Sequence, residues 1–336
     1  MTSGTSTPGA SAAPWPWETM LSRQPGTVIV IAGPTASGKS GLALELARRF
    51  DGDIINADSM QMYRELTVLT ARPDPSALAA APHRLYGVLP AAEPCSVARW
   101  RSLALTEIAA VQAAGRVPMV VGGTGLYLHA LMAGLSEIPE IPATVRAAAR
   151  ERLETVGSAG LHAELARRDP AGAERLRPGD RQRLVRAWEV LEATGRPLAD
   201  WHHQTAGHPP PGLHFFVIVL DPPRPTLYDA CNGRFLAMLA AGALDEVRRL
   251  DALALPPDLP ALKALGVPAL RRHLAGELDL AQAVALAQQA TRNYAKRQVT
   301  WFRHQMIEPG RWPLTVLGQE IRGFAPSAPG YDNSLK

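Results

Sequence analysis

The sequence predicts an α/β fold, in which a parallel sheet flanked by helices carries an inserted all-helical domain. Short β-branched segments such as "TVIVIAG", "GDIINAD" and "VPMVVGGTG" alternate with segments of helical spacing, which is the pattern of a doubly wound parallel sheet. From about Pro142 to Gly207 the spacing is helical only. The strand pattern then returns once, in "FFVIVLDP", so we interpret the helical stretch as an insertion into one sheet domain.

This pattern divides the 336 residues into four regions. We expect a disordered N-terminal extension over 1–25, a core domain formed by 26–141 and 208–310, a helical insertion domain over 142–207, and a loose, Pro- and Gly-rich tail over 311–336. The N-terminus lacks both a basic start and an apolar segment, so it does not resemble a signal peptide.

The predicted elements follow one another as strand and helix. Strands are expected over Thr27 to Gly33, Gly52 to Asp58, His83 to Pro90, the segment "VPMVVGGTG", and Phe215 to Pro222. Capping residues delimit two of the helices: Ser96 begins and Gly115 ends the first, and Asp180 begins and Gly195 ends the second. We expect that second helix to bury Leu184, Trp188 and Leu191. After Pro225 the pattern is helical to about Phe302.

Composition indicates a folded protein of the cytoplasm. Hydrophobic residues make up 46% and charged residues 20%, no apolar run approaches the roughly 18 residues that span a bilayer, and two cysteines provide no disulfide framework. The net charge is only +4 while the pI is near 9.3, with far more Arg than Lys. An anionic partner explains this excess, and so does a GC-rich coding sequence.

The segment "GPTASGKS" matches the phosphate-binding pattern G-x4-G-K-[ST], between a predicted strand and a predicted helix. It predicts a core similar to that of P-loop NTPases. Glycines in this motif let successive N–H groups converge on phosphate oxygens at a helix N-terminus. We expect Lys39 to neutralise the terminal phosphate and the Ser40 hydroxyl to hold Mg²⁺. The predicted phosphate-binding residues are Gly33, Pro34, Thr35, Ala36, Ser37, Gly38, Lys39 and Ser40.

Asp58 is the candidate general base, because it ends the second predicted strand on the same side of the sheet as the phosphate loop. Nucleotide hydrolases usually place a metal-binding carboxylate at the end of a central strand, but the fourth strand here ends "MVVGGTG". This absence of a carboxylate counts against an ATP motor or a GTPase switch, although small-molecule kinases often lack the residue too. A structural alternative remains open, in which Asp58 only caps the following helix.

Five segments in order resemble the tRNA dimethylallyltransferase family, the bacterial tRNA isopentenyltransferases: "GPTASGKS", "INADSMQMYRELTVLTARP", "VVGGTGLYLHALMAGL", "DRQRLVRAWEVLEATGRPL" and "ATRNYAKRQVTWFR". The resemblance spans roughly Thr27 to His304. It implies transfer of a dimethylallyl group from dimethylallyl diphosphate to N6 of adenosine 37 in tRNAs that read codons beginning with U. It also implies that a monomer binds the tRNA anticodon stem-loop.

The same resemblance implies site residues. Asp58 would accept the N6 proton, and Thr124 would lie near the diphosphate and the adenine, although a hydroxyl satisfied by its own turn is the alternative for Thr124. The implied tRNA-binding residues are Asp58, Ser59, Met60, Gln61, Thr124, Arg146, Gln182, Arg183, Leu184, Val185 and Arg186. A solvated helix face is the alternative for these arginines.

The last predicted helix combines basic and aromatic residues, a combination that suits RNA phosphates and unpaired bases. We expect Trp301 to lie in the core. The chain also departs from the family, because "LYDACNGRF" has Ala230 where an arginine is usual and retains Arg234. "LKALGVPAL" has Val267 and Pro268 where Tyr and a basic residue are common, which leaves Lys263 as the one tRNA contact expected there.

Three other functions remain open from sequence alone. A P-loop kinase for a small metabolite would consume ATP without tRNA. A non-catalytic RNA-binding protein would bind RNA in a salt-dependent way without turnover. An adenylate prenyltransferase is chemically nearer, but that class lacks the helical insertion and the basic last helix.

Overall fold

The computed structural model describes residues 25–204, 208–306 and 314–317, with side chains over 25–202 and 208–306. The chain forms two compact units, one made of the residues up to Met132 together with those from Pro211 onward, the other made of Ala133–Pro210.

The first unit is built on a parallel sheet, which confirms the predicted fold class. Its strands are β1 (Thr27–Ala32), β2 (Gly52–Asn56), β3 (His83–Arg84), β4 (Val117–Gly122), β5 (His214–Leu220) and β6 (Leu314–Leu317). Within the described residues their order is β3-β2-β4-β1-β5-β6, and every pairing is parallel. β1 therefore lies in the middle, between β4 and β5.

Helices cover both faces of this sheet. They are α1 (Lys39–Phe50), α2 (Pro75–Ala80), α3 (Val97–Ala113), α4 (Gly125–Ala133), α9 (Arg224–Ala240), α10 (Ala243–Asp251), α11 (Val267–Leu274) and α12 (Leu280–Gln305), with a 3-10 turn at Pro260–Lys263. Alternate residues of β1 enter different cores: Val28 and Val30 pack in one cluster, Ile29 and Ile31 in the other. A strand buried on both faces explains the continuous apolar run in its sequence.

The second unit is helical in its described part and has its own core. Its helices are α5 (Ala143–Arg168), α6 (Pro170–Glu174), α7 (Arg181–Thr194) and α8 (Leu198–Gln204). α5 is kinked at Gly157, whose φ of 69° is not helical. Asp180 caps α7 by accepting a hydrogen bond from the Arg183 N–H, and Gly195 ends the helix at a φ of 68°, as predicted.

Two expectations about strands need correction. β3 has two residues and does not extend from His83 to Pro90, because Leu85 and Gly87 adopt φ values of 62° and 61° that end the extended conformation. The expected loose tail is also wrong for Leu314–Leu317, which pair with β5. Residues 1–24, 311–313 and 318–336, expected to be disordered or loose, lie outside the described residues.

Among the described residues, no helix combines the length and the apolar character that crossing a membrane requires.

A buried carboxylate fastens the loop that follows β2. Glu246, on α10, is 1% exposed, and its side chain accepts hydrogen bonds from the backbone N–H groups of Thr67, Val68 and Leu69 at 2.6–2.8 Å. Leu69 is buried and Val68 is partly buried, so the carboxylate satisfies backbone donors that have lost part or all of their hydration.

We expect Glu246→Gln to lower the free energy of unfolding by about 2–4 kcal/mol, because the new NH₂ group would face a buried N–H donor. Urea unfolding with a common m-value measures the difference. The matched control is Asp245→Asn, which removes an exposed carboxylate of the same helix that pairs with Arg248 and should cost less than about 1 kcal/mol. Equal stability of the two variants would contradict the role given to Glu246.

Candidate active site

Three loops meet at the carboxyl edge of the sheet, because their strands are neighbours. β1 leads into the phosphate loop at Gly33, β2 leads to Asp58, and β4 leads to Thr124. Since β4 pairs with both β1 and β2 in parallel, the loop after β4 lies between the other two. Ligands of open α/β sheets bind at this edge.

The phosphate loop has the tight conformation that its glycines allow. Gly33 has a φ of 151°, and a Cβ there would lie 2.8 Å from the Leu220 carbonyl oxygen. Gly38 has a φ of 89° and directly precedes α1. Lys39 Nζ donates to the Pro34 carbonyl at 2.6 Å, across the loop. The side chain of Ser40, on the first turn of α1, is exposed.

The Lys39 ammonium lies among buried groups of the site. Desolvation lowers the pKa of Lys39 from 10.5 to about 7, the Asp58 carboxylate partly opposes this decrease, and Arg234 adds to it. A cation that loses its hydration in this way is stabilised by an anion that enters the loop. Lys39 and Asp58, both predicted from the sequence, are thus electrostatic neighbours.

A buried asparagine shapes the turn that carries Asp58. The Asn56 side chain accepts from the Asp58 N–H at 2.8 Å and donates to the Asp58 and Leu85 carbonyls at 2.9 and 3.0 Å. The Asn56 carbonyl accepts from Trp100 Nε1 at 2.9 Å. Asp58 Oδ1 accepts from the Met60 N–H at 2.9 Å, so the carboxylate is fixed in a local turn. The next described helix, α2, begins only at Pro75, so Asp58 is not its capping residue.

Thr124 lies against the Asp58 turn. Its N–H donates to the Ala57 carbonyl at 3.2 Å, and its Oγ1 accepts from the Ser59 N–H at 3.0 Å. The approach requires Gly122, where a Cβ would overlap the backbone of Ala57. The structure therefore brings together the two residues expected to be catalytic.

Two more side chains belong to this site. Arg234, noted in the sequence only as retained, donates to Thr35 Oγ1 at 3.2 Å and to the Thr70 carbonyl at 3.3 Å. The pKa of Tyr294 is raised by burial and by the Asp58 carboxylate, and a hydrogen bond with Thr124 partly opposes this increase. Tyr294 lies in a segment that the sequence analysis singled out for RNA, and no local signal placed it beside Asp58.

α12 also holds the phosphate loop directly. Gln298 is 6% exposed. Its Oε1 accepts from the Thr35 N–H at 2.8 Å, and its Nε2 donates to the Gly123 carbonyl at 2.7 Å. The sequence analysis missed this residue.

A cavity of about 290 Å³ opens beside the loop. Its lining includes Ser40, Gln61, His83, Tyr86 and the apolar side chain of Leu44. Gln61, one of the implied tRNA-binding residues, donates to the Thr70 and Ala71 carbonyls at 2.8 and 3.1 Å. Ser59 and Met60 are partly exposed beside it.

The implied tRNA-binding residues of the second unit differ in exposure. Arg146, Gln182 and Arg183 are exposed, and Val185 and Arg186 are partly exposed. Leu184 is 0% exposed and lies in the helical core, as the helical spacing predicts, so its side chain differs in burial from the other implied tRNA-binding residues of α7. Leu184 lies on the inward face of α7, directly after the exposed residues Gln182 and Arg183. Trp188, expected in that core, is partly buried.

The basic residues of α12 lie at its surface or pair with neighbours. Lys296 and Arg297 are exposed, Arg292 donates to Asn232 Oδ1, and Arg303 pairs with Asp221 at 2.8 Å. Trp301 is partly buried, where its ring lies against Gly125.

Comparisons with known proteins agree with this arrangement. The family model "IPP transferase" matches residues 61–305, and the model "Isopentenyl transferase" matches residues 26–88. A tRNA dimethylallyltransferase of Rhodospirillum centenum is 62% identical over 85% of this chain and 91% of its own length. The corresponding enzyme of Paramagnetospirillum magneticum is 60% identical over 83% and 88%.

Solved structures agree as well. The tRNA isopentenylpyrophosphate transferase of Bacillus halodurans matches with a TM-score of 0.63 and 30% identity, covering 89% of this chain and 92% of its own. A eukaryotic dimethylallyltransferase acting on tRNA matches with a TM-score of 0.74 and 25% identity, covering 87% and 73%. With a family model over most of its length and such similar relatives, the chain belongs to the IPP transferase family.

Proposed function

We propose that this chain transfers the dimethylallyl group of dimethylallyl diphosphate to N6 of adenosine 37 in tRNAs that read codons beginning with U. Membership of the IPP transferase family makes it a transferase that prenylates tRNA. The donor, the base and the tRNA set are the proposed part. One observation carries the choice: a phosphate loop and a carboxylate suited to general-base work share the carboxyl edge of one sheet.

The phosphate loop would hold the diphosphate that leaves. Breaking the carbon–oxygen bond places negative charge on the diphosphate, and donors fixed in advance stabilise such charge without reorganisation. Lys39 and the N–H groups at the start of α1 supply positive potential. Arg234, which contacts Thr35, would supply a further donor to the diphosphate. The chain has Ala230 at the position where the family usually has another arginine.

Mg²⁺ is the proposed cofactor. Mg²⁺ is usually bound through one or two protein oxygens together with substrate phosphates and water, and the exposed Ser40 hydroxyl beside the loop fits this role. Among the described residues, no group of three or more His, Cys, Asp and Glu could hold a metal by itself. When bound, Mg²⁺ would neutralise charge on the diphosphate.

Asp58 would take the proton from the adenine amine. The lone pair of that amine is delocalised into the ring, so removing the proton as the new carbon–nitrogen bond forms assists the attack. Thr124 Oγ1 lies beside the same turn and would orient the adenine. Tyr294, near both groups, would lie beside the bound adenine.

The adenosine must leave the anticodon loop stack to reach Asp58, at a cost of a few kcal/mol. We propose that exposed basic residues offset this cost by binding RNA phosphates. The basic candidates in the second unit are Arg146, Arg183 and Arg186, and in the first unit Lys296 and Arg297, while Gln182 would add a neutral hydrogen-bond donor; all are at least partly exposed.

We further propose that the chain acts as a monomer in the cytoplasm. Its cysteines, Cys95 and Cys231, are both free thiols in the structure, as expected of a reducing compartment. Light scattering after size exclusion, with and without tRNA, measures the oligomeric state.

The decisive experiment supplies dimethylallyl diphosphate, Mg²⁺ and unmodified tRNA to the purified protein and identifies nucleosides by mass spectrometry. The proposal expects N6-(dimethylallyl)adenosine at position 37 and no consumption of ATP. Product from free adenylate would instead indicate an adenylate prenyltransferase, and ATP turnover without tRNA would indicate a kinase.

Asp58→Asn should lower kcat by about 10²–10⁴-fold, because the amide keeps the shape of the carboxylate and cannot accept the proton. Steady-state kinetics with saturating RNA measure the change. The control is Asp229→Asn, which alters an exposed carboxylate on α9 and should leave kcat unchanged. Full activity of the Asp58 variant would remove Asp58 from the mechanism.

Diphosphate binding should weaken as pH rises above about 7, because Lys39 is increasingly neutral there and must take up a proton to pair with the anion. Above the pKa of the free site the affinity should fall by up to about tenfold per pH unit. Titration calorimetry with inorganic diphosphate, in buffers of different ionisation enthalpy, measures both affinity and proton uptake.

Lys39→Arg is the matched comparison, because its guanidinium stays charged throughout this range. Since the titration of diphosphate itself affects both proteins alike, the ratio of their affinities isolates Lys39. A ratio that stays constant from pH 6 to 9 would contradict the lowered pKa.

Arg183→Ala should weaken RNA binding and reduce the slope of log affinity against log salt by about 0.7–0.9, the loss of one phosphate contact. Filter binding of an anticodon stem-loop between 50 and 200 mM salt measures the slope. Arg175→Ala is the control, since Arg175 is an exposed arginine of the same unit that the family resemblance does not implicate. Identical slopes for both variants would mean that Arg183 makes no specific contact.

A further inference from the structure

Gln298 joins the two halves of the site through one buried side chain. It lies on α12, 263 positions from Thr35 in the sequence, and its carboxamide bonds simultaneously to the phosphate loop and to the turn after β4. We propose that Gln298 is a positioning residue that fixes the distance between the departing diphosphate and the accepting amine. This inference rests on the proposed function.

The geometry of the carboxamide supports this role. Its oxygen and nitrogen are held rigidly in one plane, so the Thr35 N–H and the Gly123 carbonyl, each within 2.8 Å, cannot move independently. Thr35 belongs to the loop that receives the leaving group, and Gly123 directly precedes Thr124. A single planar group therefore sets the spacing between the donor side and the acceptor side.

The neighbours of Gln298 act on the same two segments. Tyr294, one turn earlier on α12, interacts with Thr124, and Trp301, one turn later, lies against Gly125. Arg234 donates to the hydroxyl of Thr35, and Gln298 accepts from the backbone N–H of Thr35. One face of α12 thus fixes the whole 123–125 turn relative to the phosphate loop.

The position of the Gln298 side chain requires a glycine at position 123. A Cβ at position 123 would overlap Gln298 Nε2 and would lie 3.1 Å from the Gly33 carbonyl. The close approach therefore needs both residues, and a methyl group at position 123 offers an independent way to displace the carboxamide without altering it.

Displacement matters because bimolecular transfer depends on the approach of the reacting atoms. Reactants held about 3–3.5 Å apart react far faster than looser pairs, and a misplacement of about 1 Å can cost 10²-fold. Without Gln298, Lys39 and the loop would still bind the diphosphate. The accepting amine, however, would no longer be held at a fixed distance from it. The rate of transfer should fall while diphosphate binding persists.

The test compares Gln298→Leu, Gln298→Glu and Gly123→Ala with the wild type. It measures the single-turnover rate constant for prenylation of an anticodon stem-loop with enzyme in saturating excess, so that a fraction of inactive protein does not alter it. The dissociation constant for inorganic diphosphate is measured in parallel. Gln305→Leu, an exposed glutamine of the same helix, is the control.

We expect Gln298→Leu to slow single turnover about 10- to 100-fold, with the diphosphate dissociation constant within about threefold of wild type. Gly123→Ala should act in the same direction. Gln298→Glu should recover as pH falls, relative to wild type, because a protonated carboxyl reproduces the donor and the acceptor of the amide. The leucine variant should show no such recovery.

Three results would overturn the proposal: single turnover of the Gln298 variants within twofold of wild type, a loss fully accounted for by weaker diphosphate binding, or a glutamate variant that does not recover at low pH. Should the leucine variant fail to fold, the glutamate and Gly123→Ala variants decide by the same criteria. An inactive wild type would overturn the proposed function as well, whereas an active wild type with unaffected variants overturns this inference alone.

Discussion

The site depends on the parallel pairing of β1 with β4 and of β4 with β2. Parallel strands end at the same edge, so the phosphate loop, the Gly123–Thr124 turn and Asp58 must be adjacent, whatever the loops contain. Because β1 is buried on both faces, a one-residue shift in its register would exchange the side chains that enter the two cores and disturb the packing of both at once. The sheet therefore fixes the framework before any polar contact forms.

Buried polar side chains on the adjoining strands and helices then fix the conformation of the loops. Backbone groups beyond the strand ends lose their ladder partners and need others. Asn56 supplies them to the Asp58 turn, Glu246 to the turn at Thr67–Leu69, and Gln298 to the phosphate loop. In each case one buried polar side chain determines the conformation of a loop. The relative positions of the site residues therefore depend on satisfied hydrogen bonds as much as on packing.

Local sequence was enough to predict features whose cause is local. The glycines of "GPTASGKS", the caps at Ser96, Asp180 and Gly195, and the position of Asp58 at the end of β2 all follow from neighbouring residues. Gln298 and Tyr294 were not predicted as site residues because their partners lie far away in the sequence, and only the folded chain brings α12 to the phosphate loop. The burial of Leu184 was also predicted, because a contiguous motif on a helix includes positions that face inward.

The electrostatics of the site suit an anion that arrives and leaves as a diphosphate. Lys39 lies close to both Asp58 and Arg234, and desolvation by burial disfavours its charged form. A diphosphate in the loop would add an anionic partner to the Pro34 carbonyl that accepts from Lys39, while Asp58, of the same sign as that ligand, would not be attracted to it. Asp58 would thereby remain available to the acceptor. If the chain releases a diphosphate as proposed, negative charge would grow beside Lys39 and Arg234 as the bond to the allyl carbon breaks. Their attraction would then strengthen along the reaction, and an interaction that strengthens towards the transition state accelerates transfer.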